Sequence, residues 1–225
     1  MSILWPQCKA KIEEGACSSA DATLLYRPRD QFGALLNMHN GYSFKLGEHL
    51  IKSSEHLYQA LRYQGNQDGQ QSILKIKMPF DAKRLAYEYA DKEYWPEGDL
   101  KLEVMQFCLF LKFFSNQEKL LPLMDQAREG GRPLVELSRK DSFWGMCLPL
   151  DGGVVPGPDV YGRLASGKYP EQTKTLYGCN ALGKSLDVIS ELPRPLRLDS
   201  LLEWPVRVLS LKLCGKSLRE HLDCN

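Results

Sequence analysis

Apolar residues recur at helical spacing along most of this chain and alternate over only a few short runs, so the pattern predicts helices joined by small strands. Residues 1–22 show no periodicity and read as a loose arm. Thr23 to Leu36, broken by Pro28 and Gly33, reads as strand and turn. In YSFKLGEHLIKSSEH two short apolar runs flank Gly47 and predict a β-hairpin. A helix follows to about Tyr63, capped by the hydroxyl of Ser53 or Ser54, with Glu55 in its first turn and Gly65 as its stop. DGQQSILKIKM predicts a short helix ended by Pro79, and Asp81 is placed to cap another over DAKRLAYEYADK. Asp99 is placed to cap the longest run, LKLEVMQFCLFLKFF. Asn116 is placed to cap NQEKLLPLMDQAREGG, where Pro122 predicts a kink or an early helix start. LVELS reads as a short strand, and the Gly- and Pro-rich stretch DGGVVPGPDVYGRLASGKYPEQ reads as a long loop, of a length that usually binds or covers something. ALGKSLDVISEL is a helix ended by Pro193, and the tail holds a strand-like run, VRVLSLKL, before a short final helix. The regular βαβ alternation of a doubly wound sheet is missing, so the expected class is α+β, mainly helical with a small β element.

Composition fits a globular chain: 225 residues, 43% hydrophobic and 25% charged. The length suits one large domain with appendages: the arm at 1–22, a main domain at 23–192 and an extension at 193–225 packed on it. Lysine and arginine number 29 against 28 acids, a net charge of +1. Bulk electrostatics therefore draws the chain neither to nucleic acid nor to an anionic membrane, and nucleic acid would be held through a local patch. No apolar stretch is long enough to span a bilayer, and the first residues do not read as a secretory signal. Seven scattered cysteines form no C-x-x-C pair and no zinc-ligand spacing. They read as idle thiols in a reducing cytoplasm, where the protein is expected, and no metal or cofactor is expected.

Several residues have the character of chemical groups. GCNALGKS satisfies G-x-x-x-x-G-K-[ST], but the preceding EQTKTLY is polar and no clear second strand follows to hold magnesium. The segment reads better as a turn and a helix start, whose N-terminus has the character of an anion site. Lys112 interrupts an apolar helix and shares a face with Met105, Cys108 and Leu109. Held there it would lose hydration, which favours the neutral, nucleophilic amine, and the alternative is a head group that snorkels to water. Glu55, Gln59 and Arg62 line one helical face, while Glu136 interrupts an apolar strand and Asp141 follows it near Trp144 and Gly145. Paired carboxylates beside an aromatic suit cleavage at an anomeric carbon, one protonating the leaving group and another activating water. The alternative is solvated or capping charge. Trp144 and Trp95 could stack on a ring, though lone tryptophans also fill cores, and His56 is either a general base or a satisfied structural histidine.

The segments YRPRDQFGALLN, SSEHLYQALRY, AKRLA, VMQFCLFLKFFSNQ, LVELSRKDSFWGM and GCNALGKSL, in that order, resemble the NADAR family, which includes the YbiA-type N-glycosidases. The early segments look closest to the bacterial branch associated with DarT–DarG-type toxin–antitoxin systems. The resemblance implies a YbiA-like helical fold and a catalytic domain over 23–192. It points to Lys112, Glu55, Glu136 and Asp141 as catalytic, and to Arg27, Asn37, Gln59, Arg62, Trp144, Gly145, Asn180 and Gly183 as substrate-binding. It also turns the phosphate-loop match into a coincidence, because the family pattern there is G-x-N-x-L-G.

The activity it implies is removal of ADP-ribose from guanine bases of nucleic acid, as an antitoxin genetically paired with an ADP-ribosyltransferase toxin. Two alternatives stand beside it: cleavage of ribosylamino intermediates of riboflavin synthesis, and a non-catalytic module that binds ADP-ribose or NAD. The expected partners are ADP-ribosylated nucleic acid or a ribosylated small molecule, with weak binding to unmodified nucleic acid and none to membranes. The link between WGM and YGCN is longer than usual for the family, which implies an inserted lid or specificity loop. The tail after about Leu192 is unmatched.

Overall fold

A computed structural model describes residues 12–89, 100–167, 174–202 and 204–223. In chain order its elements are β1 (Gly15–Ser18), β2 (Thr23–Leu25), β3 (Phe44–Leu46), β4 (His49–Ile51), α1 (Ser54–Leu61), α2 (Gln67–Lys75), α3 (Pro79–Glu88), α4 (Leu100–Ser115), α5 (Gln117–Ala127), β5 (Leu134–Glu136), α6 (Pro158–Ala165), β6 (Thr175–Gly178), α7 (Ala181–Ser190), α8 (Asp199–Leu202), α9 (Val206–Leu209), β7 (Lys212–Leu213), β8 (Lys216–Ser217) and α10 (Leu218–Asp223). The class is α+β and mainly helical, as the pattern predicts. Two compact units partition the chain, one from the described parts of Ile3–Leu36 and Glu118–Leu192, the other from those of Asn37–Gln117 and Pro193–Asn225.

The first unit is built on a small mixed sheet. β2 pairs parallel with β5, setting Leu25 opposite Glu136, and β1 pairs antiparallel with β6, setting Gly15 opposite Gly178. Single bridges from Leu137 to Met146 and from Cys147 to Tyr177 join the two pairs. Val135, Leu137, Met146, Tyr161, Leu164 and Leu176 form its core. Tyr161 is fully buried, stacks on Tyr26 at 5.7 Å and accepts a hydrogen bond from the Leu148 amide at 3.0 Å.

The second unit is built around α1, whose eight residues are all buried. A helix buried on every side needs neighbours on every side, and α2, α3 and α4 supply them, with the β3–β4 hairpin and β7 closing the remainder. Ser53 caps α1 by accepting from the His56 amide at 3.3 Å. The C-terminal segment belongs to this core. Trp204 packs edge-on against Phe107 and Phe110 of α4, Arg207 of α9 pairs with the buried Glu103, and Gln64 and Gln70 bond the backbone of Lys212 and Cys214. α4 thus carries the C-terminal segment on the face of Glu103, Phe107 and Phe110, and Lys112 points the opposite way around the helix.

The structure departs from the pattern in five places. The stretch read as an arm contains β1, because its partner β6 lies far along the chain and leaves no local signal. The polar-looking EQTKTLY contributes most of that partner strand, in which the buried Leu176 and Gly178 alternate with the exposed Thr175 and Tyr177. The long loop holds α6, started by Pro158 at its first turn and anchored by Tyr161 and Leu164, so the flanking Gly and Pro mask a helix. VRVLSLKL is one helical turn after Pro205 and only then a two-residue strand. Pro79 opens α3 instead of ending α2, which leaves Asp81 in the first turn, and Met78 occupies the cap position. Asp99 and Trp95 lie outside the described residues, as do Cys8 and Cys224. The cysteines within them are free thiols. No described helix is long and apolar enough to cross a membrane.

Candidate active site

The predicted site residues fall into two sets, one in each unit. In the second unit a chain of polar side chains runs along α1. Glu55 is 2% exposed. Its carboxylate accepts from Asn37 Nδ2 at 2.5 Å and from Gln59 Nε2 at 2.7 Å, and its backbone N–H donates to Asn37 O at 3.2 Å. Gln59 Oε1 in turn accepts from Arg62 Nη1 at 2.6 Å, and the Arg62 guanidinium lies 5.3 Å from the Tyr87 ring centre. Positions 55, 59 and 62 share a helical face, which is why one short helix lines them up. Burial raises the Glu55 pKa, against the opposing pull of Lys83, Gln59, Arg62 and Asn37. Asn37 Oδ1 is buried and has no hydrogen-bond partner among the described residues. A ligand hydroxyl or amine placed there would satisfy it.

Lys112 lies on α4, packed against α1 where Ser54 Oγ donates to Cys108 O at 3.0 Å. Its side chain is fully buried, so it does not snorkel to water. Burial lowers its pKa from 10.5 to about 7, which makes a neutral amine abundant at physiological pH. The Tyr42 and Phe113 rings flank its Nζ, each with its centre 5.9 Å away. His39 stands 5.3 Å from Tyr42, and burial and then the Lys112 charge lower its pKa. Its Nδ1 accepts from the Gly41 amide at 2.9 Å, which leaves the neutral ring's proton on Nε2. Tyr42 and His39 had no sequence signal, because they reach Lys112 from a loop seventy residues upstream. His56 is structural: Nδ1 meets Ser53 Oγ at 2.8 Å, Nε2 meets Ile76 O at 3.1 Å, and burial takes its pKa to about 4.

In the first unit Asn180 organises the other set. It has a left-handed backbone (φ 51°), accepts the Glu136 amide on Oδ1 at 3.0 Å and donates Nδ2 to Leu134 O at 2.8 Å. Its side chain therefore holds β5 and fixes where Glu136 sits. Gly183 allows the same approach, since a Cβ there would lie 2.1 Å from Leu134 O. Gly145 would likewise meet Glu136 O at 2.7 Å. Asp141 Oδ1 accepts from the Phe143 and Trp144 amides at 3.1 and 3.0 Å and shapes the turn that presents Trp144. Arg27 is tied to Tyr26 and to Pro158 O of α6. Asn180, Gly183, Gly145 and Asp141 thus support the backbone around Glu136 and Trp144. Gly183→Ala is expected to destabilise the protein by more than about 2 kcal/mol, read as a lower melting temperature; an unchanged melt would contradict the close approach.

The phosphate-loop reading fails on geometry. Only two residues separate β6 from α7, and the amides of Cys179, Asn180, Ala181 and Leu182 donate to the carbonyls of Ser142, Gly145, Phe143 and Trp144. The donors that would cradle an anion are already used, so the helix start is not an anion site either. The stretch after Met146 folds into a tight turn between Asp151 and Val154 followed by α6. It lines a cleft of about 500 Å³ with Leu148, Leu150, Val154 and Val160. No cluster of three or more metal-ligating side chains occurs among the described residues.

The chain is 33% identical to a riboflavin biosynthesis protein of Vibrio vulnificus (strain YJ016) over 140 residues, 62% of this chain and 35% of that protein. It thus spans about a third of that relative's length. The NMR structure of the E. coli protein YbiA aligns with a TM-score of 0.48 at 21% identity, covering 79% of this chain and 92% of that one. The sequence matches the NADAR domain over residues 25–192, and the chain belongs to the NADAR family.

Proposed function

We propose that this protein is an N-glycosidase that removes ADP-ribose from guanine bases of nucleic acid, in the manner of an antitoxin. The observation that carries the reading is the fully buried Lys112 amine, with a pKa near 7, on a helix packed against the one that carries the buried Glu55. A riboside of an exocyclic amine opens to an imine-like form. The neutral Lys112 amine adds to its anomeric carbon, and the base leaves as its free amine after gaining a proton from Glu55. That leaves a Schiff base between Lys112 and ribose. Water then adds, the lysine departs, and ADP-ribose is released with Glu55 protonated again. Asn37 and Gln59 hold the Glu55 carboxyl, and Asn37 Oδ1 receives a sugar hydroxyl. A silent binding module has no use for a buried ionisable amine, which is costly to keep.

A second reading has its own support. The Vibrio vulnificus relative is named a riboflavin biosynthesis protein, and a ribosylamino intermediate offers the same bond type to the same amine. The two are separated by supplying both substrates to one preparation. Release of ADP-ribose from an ADP-ribosylated guanine oligonucleotide is expected. Cleavage of the ribosylamino compound alone would transfer the assignment to the second reading, and cleavage of neither would overturn both.

A further inference from the structure

One face of α3 sets exposed aromatic rings among cations. Phe80, Lys83, Arg84 and Tyr87 follow the spacing i, i+3, i+4, i+7 and share a stripe. Phe80 is 69% and Tyr87 57% exposed. The exposed Lys77 and Met78 extend the stripe at the helix start. Asp81 and Glu88 stand at its edge, Asp81 paired with Arg84 at 3.3 Å. Two exposed rings about 10 Å apart along a helix, interleaved with cations, are ill suited to packing against an identical copy. Like charges would meet there. They do match a chain of bases and phosphates, because every base has a face to stack and every phosphate a charge to pair. The stripe is also continuous with the candidate site: Tyr87 carries Arg62, Arg62 bonds Gln59, and Gln59 bonds Glu55. The Lys83 charge acts on Glu55 as well.

We propose that this face of α3 binds the single-stranded nucleic acid flanking the modified base, with bases stacked on Phe80 and Tyr87 and phosphates paired with Lys77, Lys83 and Arg84. The inference rests on the nucleic-acid reading of the substrate given above. It favours an unpaired strand over a duplex, in which base faces are hidden between neighbours.

The test is fluorescence anisotropy with an unmodified labelled oligo(dT) of about twelve nucleotides at low salt. Wild type is expected to bind it weakly, with a Kd of about 10⁻⁴–10⁻⁶ M, and to bind the matching duplex less well. Phe80→Ala/Arg84→Ala is expected to weaken strand binding about tenfold or more, and Lys77→Glu to weaken it and flatten its salt dependence. A variant that binds as wild type does, or a wild type that binds no strand or prefers duplex, overturns the proposal. A second measurement separates its failure from that of the activity. The ratio of kcat/KM for an ADP-ribosylated oligonucleotide to that for ADP-ribosylated guanosine should fall about tenfold in the double variant. If wild type cleaves neither, the activity assignment fails, and the anisotropy result still decides the role of α3.

Discussion

Lys112→Met is expected to abolish hydrolysis and to make the protein more stable at neutral pH. Both effects come from one cause. The amine is fully buried, and burial lowers its pKa from 10.5 to about 7. Between those two values the unfolded chain binds a proton that the folded chain does not. Stability therefore rises as pH climbs from about 7 toward 10.5, and the whole penalty is present below pH 7. Methionine has a similar length and no charge, so it removes the penalty and its pH slope. A gain on the order of 2–4 kcal/mol at pH 6 is expected, shrinking toward zero by pH 10. Denaturant melts of both proteins at the two pH values check this. A variant less stable than wild type at pH 6 would contradict it. Activity should drop on the order of 10³-fold or more, since no other buried amine of α4 can replace the nucleophile. In wild type the rate should rise with pH through about 7, as Lys112 loses its proton.

Glu55→Gln should lower kcat by about 10²–10⁴-fold with little loss of stability. The carboxylate accepts from Asn37 Nδ2 and Gln59 Nε2. A glutamine keeps one acceptor and turns an NH₂ toward the other donor. If that donor is Asn37, its amide can flip, because Asn37 Oδ1 has no other partner among the described residues. The network then closes again, without the proton. Measuring kcat together with the melting temperature separates the outcomes. A large fall in melting temperature with kcat per folded molecule unchanged would make Glu55 a packing residue.

Much of the second unit was legible in the sequence because its signals are local. The hairpin at Gly47, the Ser53 cap, and the alignment of Glu55, Gln59 and Arg62 all follow from short-range spacing. So does Lys112 on an apolar helix, although whether its head reached water was decided only by what packs around α4. The sheet of the first unit was less legible, since β1 and β6 are brief and each is stabilised by a partner some 160 residues away. α6 was hidden by the Gly and Pro at its ends, although Tyr161 and Leu164 inside it stand at helical spacing. The resemblance pointed to Asn180 and Gly183 as substrate-binding, whereas their bonds and clearances hold the backbone of the strand that carries Glu136.

The most direct test of Lys112 as nucleophile is borohydride trapping during turnover of an ADP-ribosylated guanine oligonucleotide, followed by peptide mass spectrometry. Reduction of the Schiff base should leave a stable secondary amine joining ribose to Lys112, absent from the Lys112→Met variant. Full hydrolytic activity with no adduct on Lys112 under saturating borohydride would contradict the account and leave a direct oxocarbenium route in its place.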